Sequence, residues 1–210
     1  MLPLDDRTAT ELLNIERPIP EPPRDTYIYY PGTAPVPEGF AVNTRGRSYK
    51  IVADVEIKDP ACSGVIFAHG SRFGGHTLFI KNKKLHYVYN FLGIKPEQKF
   101  VSAELKPGKY TLGFEFTKEK DGKYHESLGK GKLYVNEKVV AEGPMRAQVG
   151  KFTLAGDGLC IGRDSGDNVS EEYKSPAEFK GGTILGVAVN IGKQQYVDLE
   201  HKAAALLAVD

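Results

Sequence analysis

The sequence lacks the features that mark membrane proteins, disulfide-stapled domains and general nucleic-acid binders. No apolar run approaches the ~20 residues needed to span a bilayer, and no signal-peptide pattern opens the chain. Two cysteines, Cys62 and Cys160, make no disulfide framework, and a pair or two buried thiols remain open. The 28 basic and 27 acidic residues leave a net charge of +1, without the basic excess of a nucleic-acid binder. We therefore expect a soluble chain without nucleic-acid or membrane partners, cytoplasmic if it is complete.

Residues 1–25 predict a short helix followed by a stiff linker. Asp5 or Asp6 can cap the helix. Four prolines in Pro18–Pro23 then favour an extended, polyproline-like conformation, because each proline fixes φ and lacks a backbone donor. This segment resembles the tail of a preceding domain, and residues 26–210 are expected to form one domain.

From Thr26 onward the patterns are those of β-strands. Apolar and polar residues alternate with a period of two between Gly and Pro turns, most clearly in Tyr49–Ile57. The chain is organised around Gly64–Phe91, where three strands flank a glycine-rich corner and a Lys-Asn-Lys-Lys turn. Strands at a spacing of about 8–12 residues, without βαβ alternation, predict an antiparallel β-sandwich. A short C-terminal helix is expected at Asp198–Val209.

Three later segments give specific expectations. The charged, glycine-containing Lys118–Gly131 predicts an exposed hairpin loop. Gly131–Val140 predicts two strands joined by a tight Asn-Glu turn. The last long strand is predicted at Gly182–Ile191, with Leu185 on the same face as Val187. The hairpins and the entry to this last strand resemble the jelly roll of concanavalin A-like and laminin-G-like domains.

The densest polar chemistry lies in the corner between the first two central strands. Its glycines expose backbone N–H groups and Arg72 adds a planar guanidinium, a combination that can hold an anion or contact another domain. The commoner alternative is a tight β corner whose polar side chains satisfy loop carbonyls. The candidate binding residues are His69, Ser71, Arg72 and His76.

Two weaker patterns remain as alternatives. An oxygen-rich stretch can supply calcium ligands, although Asx residues beside glycine are more often turn formers. Its candidate ligands are Asp157, Asp164 and Asp167. Strand tyrosines can form a sugar-stacking platform, although half-buried sheet tyrosines with hydrated hydroxyls are commoner. These tyrosines are Tyr27, Tyr29, Tyr30, Tyr87, Tyr89 and Tyr134.

A resemblance to a known family covers nearly the whole chain. It rests on six stretches in order: LPLDDR (Leu2–Arg7), YYPGTAPVPE (Tyr29–Glu38), VIFAHGSRFGGH (Val65–His76), LHYVYNF (Leu85–Phe91), LCIGRDSG (Leu159–Gly166) and YVDLE (Tyr196–Glu200). They resemble the C-terminal part of large bacterial arylsulfatases, in which a β-sandwich of about this size follows the sulfatase catalytic domain. The resemblance implies a parent enzyme that hydrolyses sulfate esters with calcium and a formylglycine nucleophile.

The chain departs from such an enzyme at the catalytic motif. Formylglycine is made from the first residue of C/S-x-P/A-x-R. Cys62 is followed by Ser-Gly-Val-Ile, without arginine, and Cys160 by Ile-Gly-Arg-Asp, with arginine one place early and no proline. We therefore assign no catalytic residue and no cofactor to this chain. The resemblance implies an accessory module that packs on a sulfatase catalytic domain or another subunit and shapes substrate access or oligomerisation.

Two other functions are alternatives to the accessory module. The first is a free-standing lectin-like domain that binds a sulfated or other carbohydrate ligand. The second is an independent glycosidase, which would need two inward-facing carboxylates. The strand faces offer Glu115, Asp54 and Glu56 only singly, so the glycosidase is disfavoured.

Overall fold

In the computed structural model of the protein, the described residues are 24–149, 154 and 156–193, and their regular elements are β-strands. The predicted N-terminal helix and proline-rich linker lie outside this part except for residues 24 and 25, and the predicted C-terminal helix lies wholly outside it. No helix in the described part is long and apolar enough to cross a bilayer.

Eleven strands follow one another along the described chain. They are β1 (Thr26–Tyr29), β2 (Tyr49–Ile57), β3 (Gly64–Ser71), β4 (Gly74–Lys81), β5 (Lys84–Asn90), β6 (Gln98–Glu104), β7 (Gly108–Asp121), β8 (Ser127–Val135), β9 (Lys138–Ala147), β10 (Leu159–Ile161) and β11 (Gly182–Asn190).

The strands form two antiparallel sheets. The six-stranded sheet has the order β1-β11-β2-β7-β8-β9, and the five-stranded sheet has the order β10-β3-β4-β5-β6. The predicted all-β sandwich of jelly-roll type is therefore confirmed. In the six-stranded sheet β1 is the antiparallel neighbour of β11, with Thr26 opposite Asn190.

The core lies between the two sheets, where the inward residues of each strand meet. Tyr87 of the five-stranded sheet stacks on Phe114 of the six-stranded sheet, with ring centroids 3.4 Å apart and planes 6° apart. Gly131 leaves the room for this stack, because a Cβ there would lie 2.7 Å from the Phe114 ring and 2.6 Å from the Phe100 ring. Both cysteines are buried and unpaired.

A second, smaller core covers the outer face of the five-stranded sheet. The segment between β10 and β11 packs Tyr173 and Ala177 over this face. Phe79 and Val88, which the period-two pattern places opposite the main core, are therefore buried as well. The five-stranded sheet is thus covered on both sides, since aromatic and aliphatic groups on each face are removed from water.

One expectation about strand limits was wrong. The segment predicted as an exposed loop, Lys118–Gly131, belongs mostly to strands, since β7 and β8 pair out to Asp121 and Ser127. The turn is therefore only residues 122–126. This hairpin extends beyond the core, so its charged side chains stay in water while the backbone ladder continues.

The face of the last strand also differs from the prediction. A register irregularity between Ile184 and Gly186 reverses the alternation in β11. Leu185 consequently points outward and is 49 % exposed, whereas Val187 is buried. A bulge of this kind leaves no signature in the hydrophobic pattern.

Candidate functional site

The structure separates the four candidate residues of the β3–β4 corner. Gly70 has φ of +104°, and a Cβ there would lie 2.3 Å from the carbonyl oxygen of Gly74, so only glycine fits this tight hairpin. His69, Ser71 and His76 are buried. The Arg72 side chain is 67 % exposed, so it alone of the four reaches the surface.

His76 belongs to a buried polar chain inside the sandwich. Its Nδ1 lies 3.1 Å from the Tyr87 hydroxyl, and its Nε2 lies 3.3 Å from Thr44 Oγ1. Burial lowers the pKa of His76 well below its usual value. The imidazole is therefore neutral near pH 7, and it positions strands rather than carrying charge to a surface ligand.

His69 is buried beside His76, with ring centroids 5.8 Å apart. Neither of its ring nitrogens has a hydrogen-bond partner among the described residues. Burial, assisted by the positive charge of Arg45, lowers the pKa of His69 to about 4. His69 is therefore also neutral at pH 7, and it offers no positive charge to an anion.

Arg72 lines a cleft of about 310 Å³ at the end of the sandwich that carries the β3–β4 turn. The walls are the β3–β4 turn, the β5–β6 loop and the segment after β10. The lining residues are Arg72, Asn90, Gly93, Lys95, Glu97, Asp167, Asn168, Val169, Ser170 and Glu171. We call this space the Arg72 cleft.

One buried side chain holds the three walls together. Asn90 Nδ2 donates hydrogen bonds to the carbonyl oxygens of Arg72 and Val169, each at 2.9 Å. Asn90 Oδ1 accepts a hydrogen bond from the backbone N–H of Gly93 at 2.9 Å. Because a single amide fixes all three loops, the cleft is formed before any ligand arrives.

The Arg72 cleft is lined by charges of both signs. Arg72 Nε lies 3.2 Å from Asp167 Oδ2, and Lys95 forms an ion pair with Glu171. Glu97 accepts hydrogen bonds from Ser170 Oγ at 2.9 Å and from the Glu171 backbone N–H at 3.0 Å. The cleft is therefore lined by both donors and acceptors.

An exposed aromatic ring lies next to Arg72 in the β3–β4 turn. Phe73 is 64 % exposed, and the Arg72 guanidinium lies over its ring at 4.8 Å from the centroid. Gly93 backs this turn, because a Cβ there would lie 3.1 Å from the Arg72 carbonyl oxygen. The pair presents a flat apolar face beside a cation.

The calcium candidates do not share a centre. Asp164 is buried and accepts hydrogen bonds from the Tyr173 hydroxyl at 2.6 Å and the Val169 N–H at 3.0 Å. Asp167 pairs with Arg72. Within residues 24–149, 154 and 156–193, no group of three or more His, Cys, Asp or Glu side chains is placed to hold a metal ion. Asp164 instead anchors the segment that covers the five-stranded sheet.

The candidate tyrosines do not form one sugar-stacking surface. Tyr87 and Tyr89 lie in the core, and the Tyr89 hydroxyl accepts a hydrogen bond from the Gln148 N–H at 2.9 Å. The Tyr29 hydroxyl accepts one from the Val42 N–H at 3.0 Å. In the six-stranded sheet, the Tyr134 hydroxyl donates a hydrogen bond to the Glu115 carboxylate at 3.0 Å. These hydroxyls form hydrogen bonds within the protein, as tyrosines in sheets commonly do.

Sequence reasoning found Arg72 and Asp167 but missed the rest of the cleft. Asn90 ends a strand two residues before Leu92 and Gly93, which both have positive φ. A polar residue at such a strand end is a weak signal for a loop anchor. Glu97 and Ser170 are separated by 73 positions, so nothing in the sequence brings them together.

No protein-family model matches the chain, and no curated protein matches it. Solved structures with similar strand arrangements include the CBM40 of Ruminococcus gnavus IT-sialidase bound to alpha2,3 sialyllactose (TM-score 0.49, 14 % identity, 78 % of this chain and 82 % of that one). Domains LG4-5 of the mouse laminin alpha1 chain give a TM-score of 0.46 at 14 % identity, over 82 % and 40 % of the two chains.

The receptor binding domain of botulinum neurotoxin type G gives a TM-score of 0.47 at 7 % identity, over 76 % of this chain and 38 % of that chain. This protein therefore spans less than half of the laminin and toxin structures. The values are too low to transfer a ligand or a partner to this chain.

Proposed function

We propose that this protein is a non-catalytic, lectin-like module that binds a carbohydrate in the Arg72 cleft. The observation that carries the proposal is the preformed cleft itself, which presents both donors and acceptors beside an exposed ring. Sugar hydroxyls both donate and accept hydrogen bonds, so their site needs both kinds of partner. The C–H face of a sugar ring packs on an aromatic ring, and Phe73 offers such a face.

Arg72 is the residue best placed to orient the ligand. Its guanidinium contacts Asp167 through Nε and the Phe73 ring through its face. A guanidinium carries five N–H donors in a planar fork. The outer donors can therefore reach two neighbouring hydroxyls, or the two oxygens of a carboxylate or sulfate group. Asp167 keeps the fork in position.

The opposite wall supplies the acceptors. The Glu97 carboxylate is held by Ser170 Oγ and the Glu171 N–H, and Glu171 also pairs with Lys95. A bound sugar would exchange hydrogen bonds with water for bonds to these fixed groups. Because the walls are already ordered, little conformational entropy is lost on binding.

The test is a glycan screen of the purified protein, followed by calorimetric titration of the best ligand. Arg72→Ala should weaken binding at least tenfold and leave the melting temperature unchanged, because an exposed ion pair contributes only about 0–1 kcal/mol. Lys180→Ala, on the opposite end of the sandwich, is the matched control and should bind like wild type. Equal affinity of wild type and Arg72→Ala would refute the proposal.

A second candidate is the accessory module of a sulfatase-like enzyme. It is favoured by the positions of the stretches that resemble the arylsulfatase C-terminal part. Val65–His76 and Leu85–Phe91 cover most of three adjacent strands, β3 to β5. Leu159–Gly166 contains β10, which pairs with β3, and Val36 bridges to Leu159. These stretches therefore form one continuous sheet region, whereas the first and last lie outside the described residues.

This candidate predicts docking without catalysis. The chain alone should not hydrolyse a chromogenic aryl sulfate, because neither cysteine lies in a formylglycine motif. A separately expressed bacterial arylsulfatase catalytic domain should bind wild type in a calorimetric titration. Turnover of the aryl sulfate by the purified chain would exclude this candidate. So would a titration with the catalytic domain that gives no more heat than a titration with buffer.

A further inference from the structure

We infer that the end of the sandwich opposite the Arg72 cleft is a second binding site, which takes an acidic polysaccharide. In an antiparallel sheet the β4–β5 turn lies at the far end of β4 from the β3–β4 turn. The β4–β5 turn, the β6–β7 connection and the β8–β9 turn therefore share this far end. The site is independent of the proposed carbohydrate cleft.

Hydrogen bonds join these turns into one surface. The Leu105 N–H donates to the carbonyl oxygen of Lys83 at 2.6 Å, which ties the β6–β7 connection to the β4–β5 turn. The Asn136 N–H donates to the Thr111 carbonyl oxygen at 2.6 Å, and the Thr111 N–H donates to Asn136 Oδ1 at 3.0 Å. The far end thus has a fixed shape that crosses from one sheet to the other.

Lysines without ion pairs follow these turns. We call them the lysine cluster: Lys83, Lys84, Lys106, Lys109 and Lys138. None of the five pairs with a carboxylate in the described part of the chain, whereas six other lysines do. Those six are Lys58, Lys81, Lys95, Lys99, Lys118 and Lys180.

The carboxylates beside the cluster are fewer than its lysines. Glu104 lies opposite Lys84 in the β5–β6 ladder, and Glu137 precedes Lys138 in the chain. Asp54 lies close enough to Lys109 for the positive charge to favour the ionised form of its carboxyl group. Glu56 is the register partner of Lys109 in the β2–β7 ladder. Five lysines therefore face four carboxylates, and the cluster carries a small excess of positive charge.

The chemistry of the cluster favours a sulfated or carboxylated glycan over a nucleic acid. Binding of single-stranded nucleic acid relies on aromatic rings that stack on bases. The most exposed aromatic rings, Phe40, Phe73 and Tyr124, lie in loops at the cleft end. Lysine ammonium groups are mobile point charges. Such charges along a ridge suit a polymer that carries regularly spaced anions.

The test compares dextran sulfate with uncharged dextran of the same length. Wild type should bind dextran sulfate and not dextran, with an affinity that falls steeply as salt rises. The triple variant Lys83→Gln/Lys106→Gln/Lys138→Gln should bind at least tenfold more weakly, with a shallower dependence of log affinity on log salt concentration.

Matched controls keep this result separate from the proposed cleft. Lys58→Gln/Lys180→Gln removes two lysines at the same end that are already paired, and it should bind like wild type. The triple lysine variant should bind the neutral ligand of the Arg72 cleft like wild type, since none of its three lysines lines that cleft. The inference is overturned if the triple variant binds like wild type, if the paired-lysine control loses as much affinity, or if single-stranded DNA binds wild type as tightly as dextran sulfate.

Discussion

The hydroxyl groups of Tyr49 and Tyr87 lie 2.6 Å apart in the middle of the core and connect the two sheets. The Tyr87 hydroxyl also reaches His76, which in turn reaches Thr44. These four polar side chains therefore form one hydrogen-bonded chain. It starts at Tyr49 in β2, passes through β5 and β4 of the other sheet, and ends in the loop before β2. Within a low-dielectric interior such a chain is favourable only because each member has a partner.

Removing either tyrosine hydroxyl should destabilise the fold. Tyr87→Phe leaves the Tyr49 hydroxyl and one His76 nitrogen unpaired, so we expect a loss of about 1–3 kcal/mol in the free energy of unfolding by urea. The double variant Tyr49→Phe/Tyr87→Phe should lose less than the sum of the single losses. Tyr124→Phe, at an exposed ring, is the control and should change little. Strict additivity would show that the two hydroxyls are not coupled.

Stability should decrease in mild acid because of the two buried histidines. In the unfolded chain each titrates near pH ~6.5, whereas burial lowers the folded pKa of His69 to about 4 and that of His76 well below normal. The unfolded chain then binds more protons in this interval. The stabilisation that the two neutral histidines give the folded state is therefore complete above about pH 6.5. It is lost as pH falls through their pKa values in the folded protein.

Urea unfolding at several pH values checks this with His69→Leu. The variant should show a shallower loss of stability between pH 6.5 and 4. At pH 7 it should be as stable as wild type or more so, since the His69 nitrogens have no partner in the described structure. His76→Leu should be destabilised at pH 7. An unchanged pH slope in His69→Leu would show that another group governs the acid response.

Asp164→Ala should loosen the segment that covers the five-stranded sheet. It leaves the Tyr173 hydroxyl and the Val169 N–H without their acceptor, and we expect a loss of about 1–3 kcal/mol in urea. Asp167→Ala, in an exposed ion pair, should lose at most about 1 kcal/mol. Calcium or a chelator should not shift the melting temperature. A calcium-dependent shift that Asp164→Ala abolishes would restore the metal hypothesis.

The two thiols should be inert in the native protein. Burial raises the pKa of Cys62 to about 11 and raises that of Cys160, so both stay protonated at pH 8. Thiol reagents should label them only as fast as the chain unfolds. The double Cys→Ala variant should lose no more than about 1–2 kcal/mol, the size of small core truncations. Rapid labelling under native conditions would contradict this.

The strands with clear alternation could be predicted from the sequence because one of their faces meets the core. β2 has the predicted limits, Tyr49–Ile57, and the Asn-Glu turn joins β8 to β9 as expected. β6 was not predicted, since only Phe100 and Ser102 of its seven residues are buried. An edge strand with so weak an alternation leaves too little pattern to detect.

The candidate site was much less predictable than the fold. His69 and His76 were expected at a surface corner, but the hairpin turns both imidazoles into the sandwich. The cleft depends on Asn90 reaching Val169 across 79 positions. Such contacts follow from how loops far apart in the sequence meet at one end of the sandwich, and residue type and spacing do not encode them locally.

The pairing of β1 with β11 has a mechanical consequence. Thr26 and Asn190 are register partners, and Asn190 Nδ2 donates to Thr26 Oγ1 at 2.8 Å. A stretching force applied at these two residues would act across the strands, perpendicular to their direction. The hydrogen bonds between β1 and β11 would then bear the force one at a time and break in sequence from the loaded end. Anchored at these two points, the sandwich would yield at its edge strand under low tension while the core beneath it stayed folded.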